Sequence, residues 1–113
     1  MANGKYSKAK MLPQAAKKDL ALVGEQIKLA RCRRKISLRE LSERAGCSQG
    51  TLIKVEKGDP TVAIGIYVRV LFGLGLHDDI LAIARDDVTG RALQDIRDSR
   101  SRKTEKEEYY DFD

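Results

Sequence analysis

The sequence predicts a small all-α protein, and three observations support that class. Apolar residues recur three and four positions apart through much of the chain. Ser or Asp precedes several of these segments and Gly follows them, as at helix ends. At 113 residues, with 42% hydrophobic side chains but only four Tyr and two Phe, the chain has aliphatic material for one compact core.

Composition argues against several classes of protein. No apolar run reaches the roughly 18–20 residues that cross a bilayer, and the lysine-containing N-terminus lacks the apolar stretch of a secretory signal. Cys32 and Cys47 are too few for a disulfide framework, and His77 has no metal-ligand neighbours. We therefore expect a cytoplasmic protein without membrane association, bound metal, cofactor or catalytic activity.

The charge is divided unevenly along the chain. Residues 1–57 carry 14 Lys/Arg and 5 Asp/Glu, a net charge of +9, whereas residues 58–113 carry 8 and 12, a net charge of −4. A basic half indicates a polyanionic partner; a well-solvated basic surface is the alternative.

The helices are predicted in order from periodicity and caps. The first is expected from an Asp19 cap to about Lys35, with the inward residues Leu20, Val23, Gly24, Ile27 and Ala30. Ser37 and Glu40 form an S-x-x-E capping box for a second helix, which Gly46 ends. Ser48 caps a third helix, ended at Gly58 before Asp59-Pro60.

The segment after Pro60 is ambiguous. Residues 62–76 alternate as a strand does, but Tyr67, Val70, Leu71 and Leu74 also fit a helical face, and fifteen residues is long for a strand. We predict a helix over residues 64–73, a short helix over 79–85 and a weak one over 90–100. The domain organisation expected is a flexible basic arm (1–18), a helical DNA-binding domain (19–77), a helical extension (78–100) and a disordered acidic-aromatic tail (101–113).

Residues 37–58 predict function most directly. Two short helices joined by a tight glycine turn, the second polar on its outer face, are typical of a helix-turn-helix, in which the second helix presents its N-terminal part to the major groove. A helical hairpin without a DNA role is the alternative.

The chain resembles the Xre, or Cro/C1-type, helix-turn-helix family across about residues 20–76, a range that includes this segment. The resemblance lies in Arg31, Leu41-Ser42, Gly46-Cys47-Ser48 and Glu56-Lys57-Gly58. It implies a lambda-repressor-like five-helix fold and an ion pair between Arg31 and Glu56. Leu38 departs from the pattern, because the family often has there a glutamine that braces the recognition helix on phosphate.

A narrower resemblance is to HipB-type antitoxins. It rests on residues 58–65, residues 70–76 and the Asp-rich stretch that leads to 89–93. It implies a homodimer that binds operator DNA and holds a HipA-type kinase toxin. The acidic-aromatic ending departs from the basic ending usual in such proteins.

Several polar residues are candidates for DNA contact. Gln49 can pair bidentately with adenine, Ser48 can cap the recognition helix and touch phosphate, and Gly50 lets the backbone approach closely. The full set of expected DNA-binding residues is Ser37, Arg39, Ser48, Gln49, Gly50, Thr51, Lys54 and Lys57. Ile53 is interpreted as a partly exposed packing residue, with contact to a thymine methyl as the alternative.

Two further surfaces are expected to bind protein. A two-fold dimer on an inverted-repeat operator would double the bases read, and Leu76, Ile80, Leu81 and Ile83 are spare apolar residues for it. In the tail, Tyr109, Tyr110 and Phe112 are anchors for a partner. The alternatives are an inert solvated tail and a tail that folds back on the basic half and competes with DNA. The function expected is an autoregulatory repressor and antitoxin; the alternatives are a stand-alone phage or mobile-element repressor, or a module that sequesters a protein.

Overall fold

The computed structural model describes residues 12–101, and this part contains six helices and no strand. The helices are α1 (Gln14–Arg33), α2 (Leu38–Ala45), α3 (Gln49–Glu56), α4 (Ile64–Leu74), α5 (Asp78–Leu81) and α6 (Val88–Ser101). The predicted all-α class is confirmed. The described residues divide into two compact units, 12–80 (the N-terminal unit) and 81–101 (the C-terminal unit).

The core of the N-terminal unit is aliphatic, as the composition predicted. Leu41 of α2, Leu52 and Val55 of α3, and Val70 of α4 are fully buried at its centre. Helix α2 packs on α3 and α4, while α1 packs mainly on α3. The helix-turn-helix pair is therefore held between α1 on one side and α4 on the other.

The ambiguous segment after Pro60 is helical. Tyr67, Val70 and Leu74, which are three and four residues apart, are buried, while Ile64 and Phe72 are 69% and 61% exposed. A strand would have buried alternate residues instead. Packing against α2 thus overrides the weak helix propensity of the β-branched residues in α4.

The predicted start of the first helix is wrong. Helix α1 begins at Gln14, five residues before Asp19, and the Lys17 amide donates to the Pro13 carbonyl at 3.0 Å. Pro fixes a suitable φ at a helix start, and the alanines that follow are strong helix formers. Residues 14–18, assigned to the arm, are helical, whereas residues 1–11 lie outside the described part. Val23, expected to point inward, is 41% exposed.

Helices α1 to α4 end in the same hydrogen-bonded turn, the Schellman motif. In α2 the Gly46 amide donates to the Glu43 carbonyl and the Cys47 amide to the Ser42 carbonyl. A residue in the left-handed region occupies the key position of each turn: Lys35, Gly46, Gly58 and Gly75. The predicted glycine ends at 46 and 58 are confirmed.

The last two helices differ in length from the prediction. Helix α5 is a single turn that ends at Leu81 rather than Arg85, and Ala84 has a positive φ of 61°. Helix α6 begins at Val88, two residues earlier than expected, and the Asp87 carboxylate accepts the Gly90 amide at 3.0 Å. None of the α6 residues is buried.

Candidate nucleic-acid interface

The turn between α2 and α3 contains only Gly46, Cys47 and Ser48. Gly46 has φ 70°, which a side chain disfavours, and half-buried Cys47 packs against the core beneath the turn. The Ser48 hydroxyl oxygen accepts the Thr51 amide at 3.0 Å and thereby caps α3. These local bonds set the N-terminus of α3 at the surface.

The outer face of α3 is the most prominent part of the candidate interface. Four exposed residues of α3 and the exposed C-cap residue that follows it recur at positions i, i+1, i+4, i+5 and i+8, which share one helix face: Gln49, Gly50, Ile53, Lys54 and Lys57. This face thus combines a side-chain amide, a glycine without a side chain, an apolar side chain and two cationic side chains. This is the mixture that contacts base edges, thymine methyls and phosphates.

Gly50 and Ile53 are the two exposed residues of this face that carry no polar side chain. The side chain of Ile53 is 39% exposed and does not join the core cluster, so part of it is accessible from outside the protein. A Cβ added at Gly50 would meet no heavy atom closer than the Ser48 hydroxyl at 3.8 Å. The fold of the chain therefore does not require glycine at position 50.

Ser48 and Thr51 flank this face and contact each other. The Ser48 hydroxyl donates to the Thr51 hydroxyl oxygen at 3.0 Å, and Thr51 is half-buried. Because the Thr51 hydroxyl accepts that bond, its own proton stays available to an outside acceptor such as a phosphate oxygen.

The N-terminus of α2 contributes a second polar group. The Ser37 hydroxyl oxygen accepts the Glu40 amide at 3.0 Å, while the Glu40 carboxylate bonds instead to Arg44 at 2.9 Å. Exposed Arg39 pairs with Glu43 at 3.4 Å. Leu38 packs against the core, so it makes no outward contact of the kind that the family's glutamine would make.

An ion pair holds the C-terminal end of α3 against α1. The Arg31 Nε and Nη2 groups donate to the two carboxylate oxygens of Glu56 at 2.7 and 3.2 Å, and Nη1 donates to the Ile36 carbonyl at 3.0 Å. The side chains are only 12% and 6% exposed. The hydrogen bond to Glu56 raises the pKa of Arg31 above its ordinary value, against the opposing effect of burial. Arg31 thus ties α1 and the loop before α2 to the end of α3.

Two glycines bring α1 and the end of α3 into contact. A Cβ at Gly24 would lie 2.6 Å from the Gly58 amide nitrogen and the Val55 carbonyl oxygen. A Cβ at Gly58 would fall on the backbone of Leu20 and Ala21. The backbones therefore touch, and this contact fixes the position of Glu56 relative to Arg31.

Sequence reasoning missed two arginines that hold the helix-turn-helix to α4. Arg44 of α2 donates to the Gly73 carbonyl at 3.1 Å, and Arg69 of α4 donates to the Gly46 carbonyl at 3.3 Å. Each arginine therefore bonds a carbonyl at the C-terminal end of the other helix. The helix periodicity of α4 gave no signal for these bonds, because they depend on how α2 and α4 cross.

The two other residue types considered for chemistry, cysteine and histidine, lie away from the outer face of α3. Burial, opposed by the charge of Arg69, raises the pKa of the Cys47 thiol, so that thiol is less reactive than a free one. His77 stacks on Phe72, with ring centroids 4.5 Å apart. Residues 12–101 contain no group of three metal-ligating side chains and no helix long and apolar enough to cross a membrane. Tyr109, Tyr110 and Phe112 lie outside the described residues.

Comparison with known families agrees with this geometry. Residues 27–70, from α1 into α4, match the family model described as helix-turn-helix. No curated protein and no solved structure matches the chain.

Helix-turn-helix domains are typical of DNA-binding regulators of transcription. The match supports the predicted Cro/C1-type resemblance and covers α2, α3 and the Arg31–Glu56 pair. It carries no information on the narrower HipB-type resemblance.

Proposed function

We propose that this protein is a sequence-specific repressor that inserts the outer face of α3 into the major groove of operator DNA. The observation that carries the proposal is the shared exposure of Gln49, Gly50, Ile53, Lys54 and Lys57 on one face of a capped, braced helix. Gln49 is the base-reading residue, and Ile53 contacts a thymine methyl. Open space around Gly50 supports a close approach of backbone to DNA.

The remaining predicted residues position the domain on phosphate. Ser37 and Arg39 at the start of α2, and Ser48 and Thr51 at the start of α3, are exposed or half-exposed hydroxyl or cationic groups. Helix N-termini attract phosphate, because their amides point outward and the helix dipole is positive there. Such contacts fix register without reading sequence.

The specific role we propose is that of an autoregulatory antitoxin to a HipA-type kinase toxin, acting as a homodimer. The HipB-type resemblance of residues 58–65, 70–76 and 89–93 supports it. In this role the basic residues that precede α1 add contacts to DNA, and Tyr109, Tyr110 and Phe112 of the tail anchor the toxin. A stand-alone repressor remains the alternative, since such regulators share parts of these motifs.

The DNA-binding proposal is tested by selecting duplexes from a random pool and measuring affinity at several salt concentrations. We expect one preferred site and a steep loss of affinity with salt, because each neutralised phosphate adds about −0.9 to the log–log slope. Equal affinity for random duplex, or a flat salt dependence, contradicts the proposal.

The antitoxin role has a separate test. Purification from the native host should recover a kinase with the full chain, and truncation after Ser101 should lose the kinase without changing operator affinity. Tighter operator binding by the truncated chain would show that the tail competes with DNA. An unaltered chain that binds its partner protein but no duplex DNA would favour a sequestering module.

A further inference from the structure

Helix α6 has an apolar stripe exposed to solvent. Val88, Ala92, Leu93 and Ile96 share one face, and the three larger side chains are 66%, 61% and 53% exposed. We call these four residues the C-terminal stripe. The opposite face is polar, and there Gly90, Gln94 and Asp98 are half-buried. The helix therefore shows its apolar side outward.

This exposure is a physical problem for the helix. A 14-residue helix is marginal on its own in water, and most helices are stabilised by packing an apolar face. Yet no described residue of the C-terminal unit is buried, and Leu81 and Ile83 just before α6 are 67% and 62% exposed. A partner that covers the C-terminal stripe would supply the missing contacts.

The charges beside the stripe fit a second copy of the same helix. Arg91 and Asp95 are four residues apart on one flank of the stripe. When two α6 helices pack antiparallel, this flank meets the same flank of the other copy. If the two-fold axis of the pair passes near residues 92–93, Arg91 of each copy lies opposite Asp95 of the other.

A parallel pair would match fewer of these charges. In a parallel pair, the flank with Arg91 and Asp95 would meet the opposite flank, where Arg97 lies. No acidic residue of α6 lies on that opposite flank, so Arg91 would face a like charge there. Ala92, near the centre of the antiparallel pair, is small enough for the helix axes to approach closely.

We propose that the C-terminal stripe is a homodimer interface in which two α6 helices pack antiparallel. The inference deepens the dimeric operator binding proposed above by naming the surface that joins the protomers. Its test measures self-association of the full chain without DNA, so its failure is distinguishable from failure of DNA binding.

The decisive experiment is a charge exchange, read by sedimentation at low salt. Arg91→Glu alone and Asp95→Arg alone each oppose like charges twice in the dimer, so each should weaken dimerisation by about tenfold. An equimolar mixture of the two variants restores both opposite-charge pairs. The mixture should regain the affinity of the unaltered chain, with the heterodimer seen by native mass spectrometry. Failure of the mixture to associate overturns the antiparallel arrangement.

A matched pair of apolar variants tests the stripe itself. Ile96→Glu should leave a monomer, whereas Ile64→Glu on α4, where the side chain is even more exposed at 69%, should leave the dimer intact. A monomeric unaltered chain, or a dimer lost in Ile64→Glu and kept in Ile96→Glu, overturns the proposal. A dimer through α6 that binds no DNA would overturn the proposed function only.

Discussion

At the scale of single residues, the outer face of α3 combines two kinds of DNA contact that substitution can separate. Gln49 is exposed at its first turn and Lys57 at its end. We predict that Gln49→Ala relaxes base preference at one position, costing about 1–3 kcal/mol there. Lys57→Ala should weaken binding to all duplexes alike and reduce the salt slope. Binding-site selection on both variants measures this, and an unchanged preferred site for Gln49→Ala would refute its assigned role.

The Arg31–Glu56 pair should affect stability rather than specificity. Because both side chains are nearly buried, Arg31→Ala leaves the Glu56 carboxylate without its partner, and we expect a loss of about 3 kcal/mol in the free energy of unfolding. A double-mutant cycle with Glu56→Ala should show coupling of about 1 kcal/mol or more. Urea unfolding of the four chains gives the answer; additive losses would mean that the two groups do not interact.

Ionisation of the Tyr67 hydroxyl makes the free energy of unfolding depend on pH in the alkaline range. Its hydroxyl donates to the Asp59 carbonyl at 2.8 Å, and burial, followed by the charge of Asp59, raises the pKa of Tyr67 to about 12. An unfolded tyrosine ionises near pH 10, so the unfolded chain loses this proton first and stability falls as pH rises from about 10 through 12.

We predict that Tyr67→Phe costs about 1 kcal/mol at neutral pH, through the lost hydrogen bond. Because phenylalanine does not ionise, this cost should shrink as pH rises above about 10. Unfolding free energies of the two chains, compared across this range, test the sign. A difference that stays constant or grows would contradict the assigned burial.

At the scale of the helix, the end of α1 is the exception among four similar turns. Its left-handed residue is Lys35, with φ 55°, where α2, α3 and α4 use glycine. The Lys35 amide donates to the Cys32 carbonyl at 2.9 Å and the Ile36 amide to the Arg31 carbonyl at 3.2 Å, so the turn forms despite the strained backbone. The buried side chain of Ile36 anchors it.

We predict that Lys35→Gly stabilises the protein by about 0.5–1 kcal/mol, because glycine adopts a positive φ without a Cβ clash. Lys35→Ala is the matched control, since it removes the charge and keeps the Cβ. Chemical unfolding of both variants measures the difference. An equal gain in both would assign the effect to charge instead of backbone strain.

At the scale of the whole molecule, one recognition helix reads too few base pairs to select a site in a genome. A two-fold dimer predicts an inverted repeat with half-site centres about one helical turn, roughly 34–36 Å, apart or a multiple of it. Footprinting on the selected operator, with spacers lengthened by half a turn, measures this. Unchanged affinity for the half-turn insertion would contradict binding as one rigid dimer.

Local chemistry alone determined much of the N-terminal unit. The caps at Ser37 and Ser48 and the glycines at 46 and 58 act within a few residues, so their positions in the sequence predict the helix ends. The candidate DNA-contacting residues follow from those ends, because a helix of known start and phase presents known residues outward. The Arg31–Glu56 contact was expected only from the family resemblance.

Tertiary structure decided what depends on distant segments meeting. Whether residues 64–74 form a helix rested on packing against α2, because strand and helix periodicities both fitted the sequence. The exposure of Ile53 and Val23 depends on which neighbours cover each helix, and the bonds of Arg44 and Arg69 depend on the crossing of α2 and α4. Sequence patterns record local spacing and caps, whereas burial and long-range hydrogen bonds are set by where helices cross.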